Sequence, residues 1–216
     1  MLSAVARTVV PVLGRLTVTA DEDAVLAPGS ILAPNHSSLV DPGVVLAAVR
    51  RLGVEPVVLA TAGLWRVPVL GGALVREGHI PVHRGTERAA EALDAAAAAL
   101  AAGRIVVIYP EGRLPRRVDA ADSPPGPFRT GLARLAAHGA PVVPLGQAGS
   151  RRISSGSTAK QLAGVLTAPL RRPAVHVHVG APLTLDGDIP TATALAHAAV
   201  TTAWRTAATH LAATRN

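Results

Sequence analysis

An α/β domain with a central, mixed and mostly parallel sheet flanked by helices is what this sequence predicts. Short apolar runs rich in β-branched residues alternate with longer helical patterns, the mark of that class. The 216 residues show no internal repeat and no linker, so one domain spanning 1–216 is expected. Hydrophobic residues make up 49% and charged residues 16%, which supports a sizeable core; aromatics are 2%, so Ala, Val and Leu must build it.

In chain order, Leu2, Val5, Val9 and Leu13 fall at helical spacing within residues 1–16. Two readings stand for that helix, packing on the core or lying in a membrane interface, with Pro11 as a kink. Val12 to Thr19 reads as a strand and Ser30 to Pro34 as a short buried one. A helix from Pro42 to Leu52 follows, with Asp41 as N-cap and Pro42 at the first helical position. Strands are expected over 56–60 and 79–82, with a short helix after Pro68 between them. Thr86 to Ala102 is the clearest helix, closed by Gly103. The β-branched run Arg104 to Tyr109 is a central strand. Residues 110–127, rich in Pro and Gly, form a long loop that carries Arg116 and Arg117. Then come a helix over 129–138, a strand over 141–145, a flexible Ser/Gly segment over 150–158, a helix over 160–170, a strand over 174–179 and a terminal helix over 191–213.

The chain has no cysteine, which excludes a disulfide framework and a thiolate metal site. The net charge is +7, and Lys160 is the only lysine. Arginine's planar fork suits phosphate and carboxylate, so an anionic membrane surface, nucleic acid or a phosphorylated small molecule are the candidate partners. One Phe, one Tyr and two Trp leave little for bases to stack on, and nucleic acid is not expected. No apolar run approaches the ~20 residues of a membrane span. Arg7 interrupts the N-terminal apolar stretch, which argues against a signal peptide. His79/His83 and His176/His178 have ligand-like spacing but no acidic partner; no metal is expected, and the strand histidines are read as exposed.

Three constellations carry chemistry. In Asn35-His36-Ser37-Ser38-Leu39-Val40-Asp41, five residues separate an imidazole from a carboxylate across a strand-to-helix turn. The carboxylate can fold back on Nδ1–H and leave Nε2 as a base, which suits removing a proton from an attacking hydroxyl. By spacing alone, Asp41 as a helix cap and His36 as a packed loop residue is the stronger reading. Tyr109-Pro110-Glu111-Gly112-Arg113 follows the central strand, where open α/β sheets place their sites; Glu111 would orient a substrate hydroxyl or an Arg, and Arg113 would pair with phosphate. In Gly78-His79-Ile80-Pro81-Val82-His83-Arg84, Arg84 precedes a helix N-terminus that also suits phosphate. A polar strand end and a surface Arg are the equal alternatives for these two. The apolar Val142-Val143-Pro144-Leu145 reads as core, with an acyl-chain tunnel lining as its alternative.

Together and in this order, these segments resemble the lysophosphatidic-acid (glycerolipid) acyltransferase family. Asn35, His36, Ser38 and Asp41 fit its His-x4-Asp block; Pro68, Gly71, Gly78, Ile80, Val82 and Arg84 fit its second. Tyr109 to Gly112 and Gly126 to Gly131 fit its third, with Arg129 in place of a Lys, and Val143-Pro144 fits its fourth. The resemblance implies His36 as general base, Asp41 as its partner, and Ser38, Gly78, Arg84, Glu111, Gly112 and Arg113 around the acceptor. It implies acyl transfer from acyl-CoA or acyl carrier protein as co-substrate, with no cofactor, onto a lysophospholipid, most simply lysophosphatidic acid. A different acceptor, such as an ornithine lipid, a glycolipid or a specialised metabolite, is the alternative, because Arg113-Leu114 replaces the family's Thr-Arg. About 35 residues precede His36, so contact with the inner face of the cell membrane is expected to be peripheral, from the cytoplasmic side, without a long anchoring hairpin.

Overall fold

The computed structural model describes residues 2–85, 88–115 and 121–214. Seven strands form one sheet in the order β1-β7-β6-β2-β5-β3-β4. They are β1 (Arg15–Ala20), β2 (Ile31–Pro34), β3 (Val57–Thr61), β4 (Ile80–Val82), β5 (Val106–Val107), β6 (Val142–Ala148) and β7 (Ala174–Val179). Neighbours run parallel except at β6–β7, where Leu145 faces Val179 in antiparallel register. The expected mixed, mostly parallel sheet is present.

Because adjacent residues on a strand point to opposite faces, both faces of a covered sheet must be apolar. Leu32, Val107, Val143 and Val177 face helices α1 (Leu2–Leu13) and α2 (Asp41–Arg51). Ile31, Ala33, Val106 and Val142 face α4 (Ala89–Ala101), α5 (Gly131–Ala136) and α7 (Ile189–Ala213). The short helix after Pro68 is α3 (Leu70–Arg76), and α6 (Thr158–Arg171) lies beside α1.

Several boundaries differ from expectation for physical reasons. Val12 and Leu13 belong to α1, not to the first strand. Helix α1 buries Ala6 and Val10, so its packed face is turned away from Val5 and Val9, which are exposed. The central strand is labelled only over Val106–Val107, although Ile108 N donates to the Leu32 carbonyl (3.0 Å) and Ile105 O accepts from Val57 N (2.8 Å). Strand β6 runs three residues past Leu145, because Gly146, Gln147 and Ala148 pair with β7. All of β6 is buried, which settles Val142 to Leu145 as core. Thr86 and Glu87 of the expected fourth helix, and Arg116 and Arg117 of the long loop, lie outside the described residues.

The strand histidines are a correction. His176 and His178 share a face but are buried, because the hydroxyls of Thr17 and Thr19 on β1 bond their rings and His210 of α7 stacks on His176 at 4.0 Å. His178 Nε2 also meets Asp21 (3.1 Å), an acidic partner the linear spacing hides.

Candidate active site

The carboxyl ends of β2 and β6, and the segment that follows β5, converge on one loop. Strand β2 ends at Pro34, and residues 35–40 turn back before α2 begins at Asp41. Asn35 is tied to β6 by a reciprocal pair: its Oδ1 accepts from Gln147 N (2.7 Å) and its Nδ2 donates to Gln147 O (3.1 Å). That clamp fixes the start of the turn, so His36 leaves the strand in a set direction.

Asp41 is fully buried, and its carboxylate accepts four hydrogen bonds. Oδ2 receives His36 Nδ1 (3.0 Å) and the amides of Ser37 (2.5 Å) and Ser38 (2.7 Å); Oδ1 receives the Ser150 hydroxyl (2.6 Å). An ionised carboxylate only accepts, so Nδ1 carries the imidazole proton and Nε2 is the basic nitrogen. The helix-cap expectation is thereby corrected. Val40 is the N-cap residue, and the Asp41 side chain folds backward onto its own loop, where two amides and an imidazole compete successfully for it.

The His36 ring packs on Tyr109, with centroids 4.3 Å apart, and its side chain keeps 11% exposure, enough for a substrate to reach. Burial and the negative charge of Asp41 push the Tyr109 phenol well above its ordinary range. Glu111 accepts from His36 N (2.7 Å) with one oxygen and from Gly126 N (3.0 Å) with the other. Burial raises its pKa, and the two N–H bonds oppose that rise. Both Glu111 oxygens are therefore engaged by backbone, tying His36 to the far side of the long loop. A Cβ on Gly126 would stand 3.2 Å from Glu111 Oε2, so glycine keeps that approach open.

Gly112 takes φ +69°, and a Cβ there would stand 2.7 Å from Arg129 Cδ; the Arg129 side chain crosses the glycine. Arg129 faces Arg84. Partial burial and the Arg129 charge both lower the Arg84 pKa. Among the described residues neither guanidinium meets a carboxylate. Arg113 is exposed at the end of the same segment, next to Gly112. Gly78 closes α3 with φ +70°, as the amides of Gly78 and His79 bond back to Val75 O and Leu74 O. Ser38 Oγ donates to Ser154 O (2.6 Å).

The segment expected to be flexible is instead built into the site. Ser150 is fully buried on Asp41, and Arg151 Nη1 donates to Ser37 O (2.9 Å). With Ser37, Ser38, Arg151 and Ser154 in its wall, a cavity of about 300 Å³ opens beside the loop. Ser150, Arg151 and Arg129 are the functional candidates the sequence reading left out. Only Arg129 had a signal, a cation inside a recognised block.

A family model described as Acyltransferase matches residues 15–147, more than half of the chain and all of the geometry from β1 to Gln147. The chain belongs to the acyltransferase family. The fold of this acyltransferase is also that of the 1-acyl-sn-glycerophosphate acyltransferase PlsC from Thermotoga maritima. That crystal structure superposes with a TM-score of 0.70 at 17% identity, over 95% of this chain and 77% of that one. No curated protein matches in sequence. Ser150, Arg151 and Ser154 lie beyond the matched region, so this acyltransferase completes its His-Asp loop with residues that the family model does not include. Among the described residues, no group of three or more His, Asp or Glu is placed to hold a metal, and no helix is long and apolar enough to cross a membrane.

Proposed function

We propose that this acyltransferase moves a fatty acyl group from an acyl thioester, on coenzyme A or acyl carrier protein, to the hydroxyl of a lysophospholipid, most simply lysophosphatidic acid. The observation that carries the proposal is the His36–Asp41 contact (3.0 Å), which leaves Nε2 as the basic ring nitrogen on a loop whose Ser37, Ser38 and Leu39 line an open cavity. Nε2 takes the acceptor's hydroxyl proton as that oxygen attacks the thioester carbonyl. The buried Asp41 carboxylate stabilises the imidazolium formed at that moment. The tetrahedral intermediate then collapses: the C–S bond breaks, the imidazolium returns its proton to the thiolate, and ester and thiol leave. No cofactor enters this sequence.

The acceptor's phosphate is assigned to the Arg84–Arg129 pair. Two cations held together lose stability by repulsion, and an anion between them recovers it. Exposed Arg113 and the Gly112 turn that seats Arg129 border that pair, while Glu111 and Ser38 hold the loop. Gly78 sets the course of the strand that delivers Arg84. An acceptor in the inner leaflet would be met from the cytoplasmic side by a protein lying on an anionic surface. The altered residues after Gly112 favour testing other acceptors, ornithine lipids and glycolipids among them.

The test is a panel of lysolipid acceptors given one labelled acyl thioester, with His36→Ala as control. Transfer to lysophosphatidic acid above the uncharged acceptors, lost in the control, is the expected result. Arg84→Ala should weaken use of the phosphorylated acceptor and leave an uncharged one nearly unchanged; equal losses would remove the phosphate role.

A further inference from the structure

Asp41 is sealed from solvent, so each of its oxygens must find a donor inside the protein. Oδ2 has His36 Nδ1 and the amides of Ser37 and Ser38, all from its own loop. Among the described residues Oδ1 has one donor, and it comes from a segment 109 positions away: the Ser150 hydroxyl, at 2.6 Å. A carboxylate only accepts, so the single Ser150 proton points at Asp41 and the Ser150 oxygen is left as an acceptor. Ser37 Oγ lies 3.2 Å from that oxygen and is therefore the donor to it. The protons are ordered in one direction, from Ser37 through Ser150 to Asp41, while His36 Nδ1 donates to the other oxygen of the same carboxylate.

The segment that brings Ser150 in is held at both ends. Gly149 takes φ +91°, where its amide donates to Asp122 Oδ1 (3.0 Å) and a Cβ would overlap the Ala174 carbonyl. Ser150 opens a 3-10 turn (Ser150–Arg152), and the amides of Ile153 and Ser154 both bond back to its carbonyl (3.0 and 3.2 Å). Across the reactive loop, Arg151 Nη1 donates to Ser37 O (2.9 Å) and Ser154 O accepts from Ser38 Oγ (2.6 Å). Ser150 itself has no exposed surface, so it does not touch a substrate. Its route to the reaction is through Asp41.

We infer that Ser150 is a positioning residue of the acyl-transfer site: by donating to Asp41 Oδ1 it divides the carboxylate's charge between two sets of donors and sets how strongly His36 holds a proton. The inference rests on the general-base reading of His36 and adds what tunes that base. A donor on Oδ1 draws negative charge away from Oδ2, the oxygen that faces the imidazole. Without that donor the charge gathers on Oδ2, and the imidazolium is held more tightly. Where Asp41 takes up a proton to relieve its unpaired oxygen instead, it does so at a higher pH than before. Either way the active form, neutral His36 beside ionised Asp41, is lost at a higher pH. The other ionisable groups around the pair keep their own partners. Glu111 is bonded to the His36 amide, the Tyr109 ring packs on the imidazole, Arg151 is bonded to the Ser37 carbonyl and Asp122 to the Gly149 amide.

The experiment is a pH titration of the full chain with two readouts, comparing native protein with Ser150→Ala. One readout is the ring-nitrogen NMR signal of His36, identified as the signal that His36→Gln removes. The other is the acid limb of kcat/KM for acyl transfer to lysophosphatidic acid. The neutral ring of native protein should carry its proton on Nδ1. In Ser150→Ala the His36 titration midpoint and the acid limb should both move up by about one pH unit, with KM little changed. Ser37→Ala leaves every Asp41 oxygen bonded, so it should melt as native protein does and move both readouts the same way by less. A lower Tm in Ser150→Ala with neither readout moved would leave Ser150 a packing residue and overturn the inference. A raised KM at an unmoved limb would make it a substrate contact and overturn the inference too. If Ser150→Ala does not fold, unmoved readouts in Ser37→Ala overturn it in the same way. A His36 titration that shifts in Ser150→Ala while native protein transfers no acyl group would sink the enzyme reading and leave the role of Ser150 standing.

Discussion

Replacing Asp41 by Asn separates the charge of the carboxylate from its shape. The amide oxygen can keep the Ser37 and Ser38 amides and His36 Nδ1–H, so the histidine tautomer is preserved. Its NH2 then faces Ser150 Oγ, which must turn from donor to acceptor. What is lost is the negative charge beside the imidazolium that forms during attack. Two unit charges with centres about 4 Å apart attract by roughly 4 kcal/mol at an effective dielectric near 20. Each ~1.4 kcal/mol is a factor of ten, so kcat should fall about 1,000-fold. Weakening bonds to a charged acceptor should also cost about 1–3 kcal/mol of stability, or roughly 2–10 °C in Tm for a domain of this size. Thiol release from the acyl thioester gives the rate, and a thermal melt of the same sample gives the stability. A variant that keeps more than about a tenth of native kcat while melting cooperatively would refute the role given to the charge.

Three further outcomes are expected. Gly112→Ala should push Arg129 aside, since the new Cβ would stand 2.7 Å from its Cδ at a left-handed φ, raising KM for a phosphorylated acceptor and costing about 1 kcal/mol; unchanged KM would detach Arg129 from the acceptor. Gly146→Ala should lower Tm sharply, because its Cβ would overlap the Ala203 carbonyl where α7 lies on β6, at a cost of roughly 3 kcal/mol or more; a native-like melt would contradict that contact. Burial, then the neighbouring His210 and His178, lower the His176 pKa from 6.5 to about 4. The unfolded chain therefore takes up a proton below about 6.5 that the folded chain refuses until about 4, so this contribution is whole above 6.5 and lost as pH falls, by up to roughly 3 kcal/mol. Denaturant unfolding of native protein and His176→Gln between pH 7 and 5 should show a flatter slope in the variant, and parallel slopes would exclude His176 as the source.

Periodicity located most elements because both faces of the sheet's centre are covered, so the central strands are apolar runs, whereas edge strand β1 alternates polar and apolar residues. The pairing of His36 with Asp41 was also legible, since it spans one turn. The other partners of Asp41 were not. Ser150 is 109 positions away and meets the carboxylate only because β6 runs on to Ala148, a length fixed by pairing with β7. The Ser-rich stretch read as flexible for the same reason: hydroxyls look like loop residues until the groups that bind them are in place. Glu111 shows the complementary case. A carboxylate at a strand end invites a ligand role, and what the sequence hides is that backbone amides of His36 and Gly126 each bond one of its oxygens. Period two placed His176 and His178 on one face but could not tell that Thr17, Thr19 and His210 cover it.

A chain with so few aromatic residues must gain its packing in another way, and the glycines show how. At Gly146 the sheet meets the backbone of α7 at Ala203, at Gly149 it meets the Ala174 carbonyl, and at Gly164 helix α6 meets Ile153. In each place a missing Cβ lets backbone approach backbone, so dispersion contacts are made by main chain and Ala instead of large rings. Two of these contacts flank the segment that carries Ser150, Arg151 and Ser154. Tight backbone contact leaves that segment little freedom, and a hydroxyl held still can donate to Asp41 without first losing rotational entropy. The small-residue composition is thus what fixes the acceptor geometry of Asp41, and through it the direction of the basic nitrogen on His36.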